Sequence, residues 1–98
     1  MDEQILQSKE AKELYEAFLS LKTPEECGRF LRDVCTLKEI EDMVSRLRIA
    51  RMLSKTQPKP FRDIAEEVGT STTTVTRVAH WLNHGMGGYR TVISRIHK

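Results

Sequence analysis

Phe61-Arg62-Asp63-Ile64-Ala65-Glu66-Glu67-Val68-Gly69, continued by Thr70-Ser71-Thr72-Thr73-Thr74-Val75-Thr76-Arg77-Val78-Ala79-His80-Trp81-Leu82, is the stretch that decides the fold. Ile64, Ala65 and Val68 occupy positions i, i+1 and i+4, which lie on one face of a short helix. Gly69 follows directly and is a natural left-handed C-terminal cap. Thr70 and Ser71 then offer an N-cap for a second helix, expected to run to about Asn83 and to close at Gly85. Val75 and Val78 anchor that helix, and Ala65 is small where the two must cross closely. Two short helices with facing apolar sides, joined through a glycine, have the pattern of a helix-turn-helix over residues 61–84.

Outward from this unit the chain reads as helix throughout, about six helices in all. Thr56-Gln57-Pro58-Lys59-Pro60 breaks the helix before it, because two prolines cannot continue the hydrogen-bond ladder. Upstream, Thr23-Pro24-Glu25-Glu26 and Thr36-Leu37-Lys38-Glu39 are successive capping boxes, with a threonine at each cap and a glutamate three residues on. Between them Cys27, Phe30, Leu31, Val34 and Cys35 form an amphipathic stripe. Ile5, Leu6, Leu14, Phe18 and Leu21 give a looser stripe over about 20 residues. The helix from Leu37 starts narrow (Ile40, Met43, Val44, Leu47) and broadens to Ile49, Ala50, Met52 and Leu53, the pattern of a helix central to a core or to a dimer. Beyond the break at Gly87-Gly88, Tyr89, Val92, Ile93 and Ile96 form a last apolar face, a helix over 89–97. No run alternates convincingly enough for a sheet. The expected class is all-α.

Ninety-eight residues make one domain, 1–98, which buries only about two thirds of its unfolded surface, so a second subunit is expected to contribute. Residues 1–55 would be the dimerisation helices. Nothing approaches the roughly 18 apolar residues of a membrane span. The acidic start Met1-Asp2-Glu3-Gln4 has no apolar signal core behind it, so the expected location is cytoplasmic. Cys27 and Cys35 are then expected to be buried free thiols rather than a disulfide, and two thiols do not make a zinc site. His80, His84 and His97 lack cysteine or carboxylate partners at ligand spacing and are expected on solvated surface; no metal is implied. No phosphate loop, nucleophile motif or paired carboxylate is present, so no enzyme is expected.

Charge divides the chain. Residues 1–45 hold six Lys/Arg against eleven Asp/Glu, a net −5, whereas residues 46–98 hold ten against three, a net +7. After Glu67 there is no carboxylate side chain. A basic half on an acidic scaffold fits a polyanionic partner. A helix-turn-helix projects the start of its second helix into a major groove, where amides and short side chains meet phosphates and base edges. That surface would be Ser71, Thr72, Thr73 and Thr74, followed by Thr76 and Arg77, with Arg62 as a phosphate contact. Hydroxyls can donate to phosphates, and threonine methyls pack on thymine methyls. A plain helical hairpin whose threonines cap and solvate would look similar, but exposed threonines are poor helix formers without another purpose. Arg48 and Arg51 are expected to be ion-paired surface groups.

From Thr36 to about Leu82, nearly half the chain, the sequence resembles the tryptophan repressor family, above all its small bacterial trp-repressor-related proteins. Ser45-Arg46-Leu47-Arg48-Ile49 and residues 69–77 carry the resemblance most specifically. It implies a six-helix, intertwined homodimer that binds double-stranded operator DNA through the helix-turn-helix and regulates transcription, as a repressor. The other class of function compatible with the scaffold is a protein-interaction module without operator binding.

The resemblance also implies an effector pocket. Its two arginines correspond to Arg46 and Arg77, which sandwich the corepressor's indole, and a partner-subunit carbonyl near Thr36 receives the amino group. The family's repressor has glycine where this chain has Val78 and serine where it has Trp81, and its loop is one residue shorter than 56–60 here. Thr74, Arg77, Val78 and Trp81 share a helix face directed at Arg46. Three added carbons at Val78 overpack the slot, so free L-tryptophan is not expected to bind, and any effector would be another small molecule. Trp81 is expected either to lay its indole over the slot beneath an arginine, or to be an ordinary residue beside an empty pocket. No cofactor is implied.

Overall fold

The computed structural model describes residues 2–96. A 3-10 turn, Asp2–Gln7, precedes six α-helices: α1 (Lys9–Leu19), α2 (Pro24–Val34), α3 (Leu37–Leu53), α4 (Phe61–Val68), α5 (Thr72–His84) and α6 (Gly88–Ile96). No strand occurs among the described residues, and none of their helices is long and apolar enough to cross a membrane. The chain is all-α, with the expected number of helices. It divides into two compact units, one ending at Leu37 and the other beginning at Lys38.

In the N-terminal unit the loose stripe from Ile5 to Leu21 is not one helix. Ser8 interrupts it: its Oγ donates to the Ile5 carbonyl at 2.7 Å and accepts the Ala11 N–H at 3.0 Å, closing the 3-10 turn and capping α1. The Tyr15 hydroxyl holds the turn against α1 by donating to the Leu6 carbonyl at 3.0 Å. α2 begins as its capping box requires, with Thr23 Oγ1 accepting the Glu26 N–H at 3.1 Å and Pro24 in the first turn. Glu26 reaches one residue further back than expected, accepting the Lys22 N–H at 2.9 Å. Phe18 and Phe30 meet edge to face, 5.3 Å between centroids, tying α1 to α2. Both cysteines are free, but the expected burial is not found: Cys27 is exposed and Cys35 half-buried. No described residue of this unit is buried, so there is no interior to receive them.

The C-terminal unit contains the core. Ile49 and Ala50 of α3, Ile64 and Ala65 of α4, and Val75 and Val78 of α5 form one buried cluster, with Met52, Leu53, Val68, Tyr89 and Ile93 packed against it. The broadened end of α3 therefore packs with the helix-turn-helix of its own chain. Gly69 adopts φ 84°, and the N–H groups of Gly69 and Thr70 both close on the Ala65 carbonyl, at 2.8 and 2.9 Å. Only a left-handed residue allows this tight stop two residues before the next cap. Gly85 ends α5 for another reason: its φ is −88°, but a Cβ there would strike the Trp81 carbonyl oxygen. α6 starts one residue before the expected 89–97; residue 97, and with it the reading of His97, lies outside the described residues.

Candidate nucleic-acid interface and effector groove

α4 holds α5 through Ile64 and Ala65 against Val75 and Val78, which leaves the opposite side of the α5 start in solvent. Ser71 Oγ accepts the Thr74 N–H at 3.2 Å and lies 3.2 Å from Thr74 Oγ1. Thr76 Oγ1 donates to the Thr72 carbonyl at 2.9 Å. Three of the five hydroxyls singled out by sequence are thus engaged within the helix. Ser71 and Thr74 fix the cap; Thr76 keeps its lone pairs and its methyl group for an outside partner. Thr72 and Thr73 are exposed, in the first turn where helix geometry supplies no carbonyl to the amides. Their hydroxyls and amides are the free donors of the surface. Arg77 is exposed one turn on, and Arg62 is exposed in the first turn of α4.

The ion pairs among the described residues are Lys38–Asp42, 2.8 Å apart, and Lys59–Glu67. Arg48 and Arg51 therefore do not form the direct pairs expected of them. Glu67 is the nearby acid, and Lys59 takes it, because the loop 54–60 returns that lysine to α4. Lys59's hydrogen bond and charge hold the Glu67 carboxyl below the usual carboxylate range, with Arg48 and Lys55 adding to the effect through space. Glu67 in turn raises Lys59.

Arg46, Arg77, Val78 and Trp81, which the resemblance puts in an effector pocket, line one groove of about 410 Å³ together with Thr74, expected at the DNA. Tyr89 of α6 completes the lining. Burial pushes the Tyr89 phenol up, and the positive charge of Arg46 partly offsets this. Sequence reasoning had Tyr89 only as a member of an apolar face; nothing local indicates which groove that face closes. Val78 is 3% exposed, so it belongs to the core as well as to the groove wall. Trp81 remains 56% exposed, and its ring contact is with His80, edge to face at 5.1 Å, rather than beneath an arginine. Thr36 belongs to the N-terminal unit, just before α3.

This sequence and this order of helices have counterparts. The sequence profile of the Trp repressor protein family matches residues 9–97. The chain belongs to the Trp repressor family. Among Trp repressor relatives, the uncharacterized protein YerC of Bacillus subtilis (strain 168) is 41% identical over 91 residues, 93% of this chain and 86% of that protein. The crystal structure of a TrpR-like protein from Eubacterium eligens ATCC 27750 superposes with a TM-score of 0.87 at 39% identity, covering 95% of this chain and 94% of that one. A candidate Trp repressor from Staphylococcus aureus gives 0.88 at 33% identity, covering 98% and 94%. The Trp repressor family is one of helical, non-enzymatic regulators, and the fold here is theirs.

Proposed function

We propose that this protein is a homodimeric, sequence-specific DNA-binding regulator of transcription, acting as a repressor, with Arg62, Ser71, Thr72, Thr73, Thr74, Thr76 and Arg77 at the DNA. The observation that carries the proposal is the start of α5: exposed, rich in hydroxyls, and followed by a chain with no further carboxylate side chain. Thr72 and Thr73 present donors suited to phosphate oxygens, and Thr76 presents an acceptor and a methyl suited to base edges. Ser71 and Thr74 act by holding the helix start in shape.

Selection from randomised duplexes tests this. The expected product is a palindrome with half-sites about 34 Å, one helical turn, apart. On that site Thr76→Ala should relax base preference by roughly 1–3 kcal/mol, whereas Thr73→Ala and Arg62→Ala should weaken all duplexes alike, Arg62→Ala also reducing the salt slope by about 1. Selection that enriches no duplex would favour the protein-interaction module instead.

The same regulator is proposed to act without free L-tryptophan. Val78 lines the groove together with Arg46 and Arg77 and is fixed by core packing, so a planar ring sandwiched by the two arginines would have to displace it. Overpacking of this kind costs about 1–3 kcal/mol. The remaining groove, with Tyr89 and Trp81 at its sides, would suit a differently shaped effector.

A further inference from the structure

The C-terminal end of α3 and α6 flank a second, half-open cavity of about 560 Å³, lined by Arg51, Ser54, Lys55, Arg90, Ile93 and Ser94. Three of the six side chains are cationic and none is acidic. Neither ion pair found among the described residues involves them; the nearest acid, Glu67, is bonded to Lys59 and feels Lys55 only through space. We propose that this cavity binds a small organic phosphate carrying hydroxyl groups, of the size of a pentose phosphate.

Helix electrostatics do not account for the cluster. The C-terminus of α3 carries roughly −0.5 of an elementary charge, which Arg51 and Lys55 together exceed severalfold. Arg90 sits in the first turn of α6, where the helix end is positive and a cation is disfavoured. It is nevertheless held in place. Its Nη2 donates to Asn83 Oδ1 at 2.8 Å, and Asn83 Nδ2 donates to the Ala79 carbonyl at 2.9 Å. One guanidinium donor is used and four remain, in the fork geometry that matches a phosphate.

The serines specify the rest of the ligand. Ser54 Oγ donates to the Ala50 carbonyl at 2.8 Å, and Ser94 Oγ donates to the Thr91 carbonyl at 2.8 Å. With their hydrogens committed, both oxygens offer only lone pairs to the cavity, which suit hydroxyl hydrogens and not a second anion. Ile93 supplies an apolar wall for a carbon skeleton. The volume lies within the usual range for small-ligand sites.

Titration of the full-length protein with ribose 5-phosphate in low salt, followed by amide NMR, tests the site in the absence of DNA and so independently of operator binding. Saturable shifts are expected in residues 51–55 and 90–94. Arg51→Gln and Arg90→Gln should each weaken binding about tenfold, the scale of a lost charge-assisted hydrogen bond, while Arg62→Gln leaves it unchanged. Inorganic phosphate should bind the same residues more weakly. Absence of saturable shifts, or equal weakening by Arg62→Gln, would overturn the site. Equal affinity for inorganic phosphate would overturn the ligand class. If the sugar phosphate fails to bind and Arg51→Gln and Arg90→Gln instead lower duplex affinity, the cluster is a contact to backbone phosphates and the proposal is wrong.

Discussion

The two units of this chain are built from the same kind of amphipathic helix and meet opposite fates. Among the described residues, every buried one lies between Ile49 and Leu82, in the C-terminal unit. The N-terminal unit buries none, although α2 has a stripe as regular as any, and Leu19 and Val34 stand 83% and 56% exposed. The difference teaches that a stripe makes a helix, but only a facing surface makes a core. In the C-terminal unit the turn at Gly69 delivers that surface within three residues. In the N-terminal unit Phe18 and Phe30 touch, and no third helix of the unit closes over them. Each large apolar side chain gains about 1.5–3 kcal/mol on full burial. Covering Leu14, Phe18, Leu19 and Val34 would thus amount to several kcal/mol, comparable to the stability of a small domain. A second copy of the chain is the proposed cover.

The largest effects should come from the Phe18–Phe30 contact and from the C-terminal core, and they should differ in kind. Phe18→Ala should cost about 3–5 kcal/mol and Ile64→Ala about 2–5 kcal/mol. Melting of the Phe18 variant should fall steeply on dilution, because its loss is one of association. The Ile64 variant should lose stability with little added dependence on concentration. Equal dilution behaviour in both would erase the distinction between the units.

Next comes the turn that makes the C-terminal unit self-sufficient. A Cβ at Gly69 meets nothing within 4 Å, so Gly69→Ala isolates the backbone penalty of φ 84°. Urea unfolding should show a loss of about 1–2 kcal/mol. A neutral result would mean that the turn relaxes at no cost. The caps sharpen the comparison further. Ser71→Ala and Thr23→Ala remove equivalent bonds, at 3.2 and 3.1 Å, each worth about 1 kcal/mol. Equal losses in chemical denaturation are expected if α2 is as firmly required in the folded particle as α5.

The smallest effect is electrostatic. Glu67 titrates below its ordinary range because of Lys59, so its contribution is present at neutral pH and is lost as pH falls through the depressed value. Lys59, raised by Glu67, loses its share only as pH rises through its own elevated value. Both groups are exposed, and the pair is weak and screened by salt. NMR titration of the Glu67 carboxyl in Lys59→Met should show its midpoint raised toward the ordinary range; an unmoved midpoint would show that Arg48 and Lys55 dominate instead.

Much of this architecture was legible from local signals. Gly69, Ser71, Thr23 and the spacing of Ile64, Ala65, Val75 and Val78 act within a few residues of themselves, and sequence expresses such effects directly. Ser8 escaped because the apolar phases of a 3-10 turn and an α-helix drift apart slowly enough to mimic one loose stripe. The pairing of Glu67 with Lys59 depends on how the loop 54–60 returns, which no local pattern encodes. Tyr89 in the groove beside Arg46 and Arg77, and Arg90 beside Arg51 and Lys55, required α6 to be placed against α3 and α5. The resemblance to Trp repressors supplied Arg46 and Arg77, and both line the groove. The cationic cavity has no counterpart in any motif read from the sequence.

Everything proposed for the N-terminal unit, and for paired half-sites on DNA, depends on two copies forming one particle. Sedimentation equilibrium of the full chain at tens of micromolar measures this directly. The expected mass is twice the 11.3 kDa of one chain, held constant across moderate dilution. A particle of 11.3 kDa that keeps its full helical signal at the same concentration would contradict it.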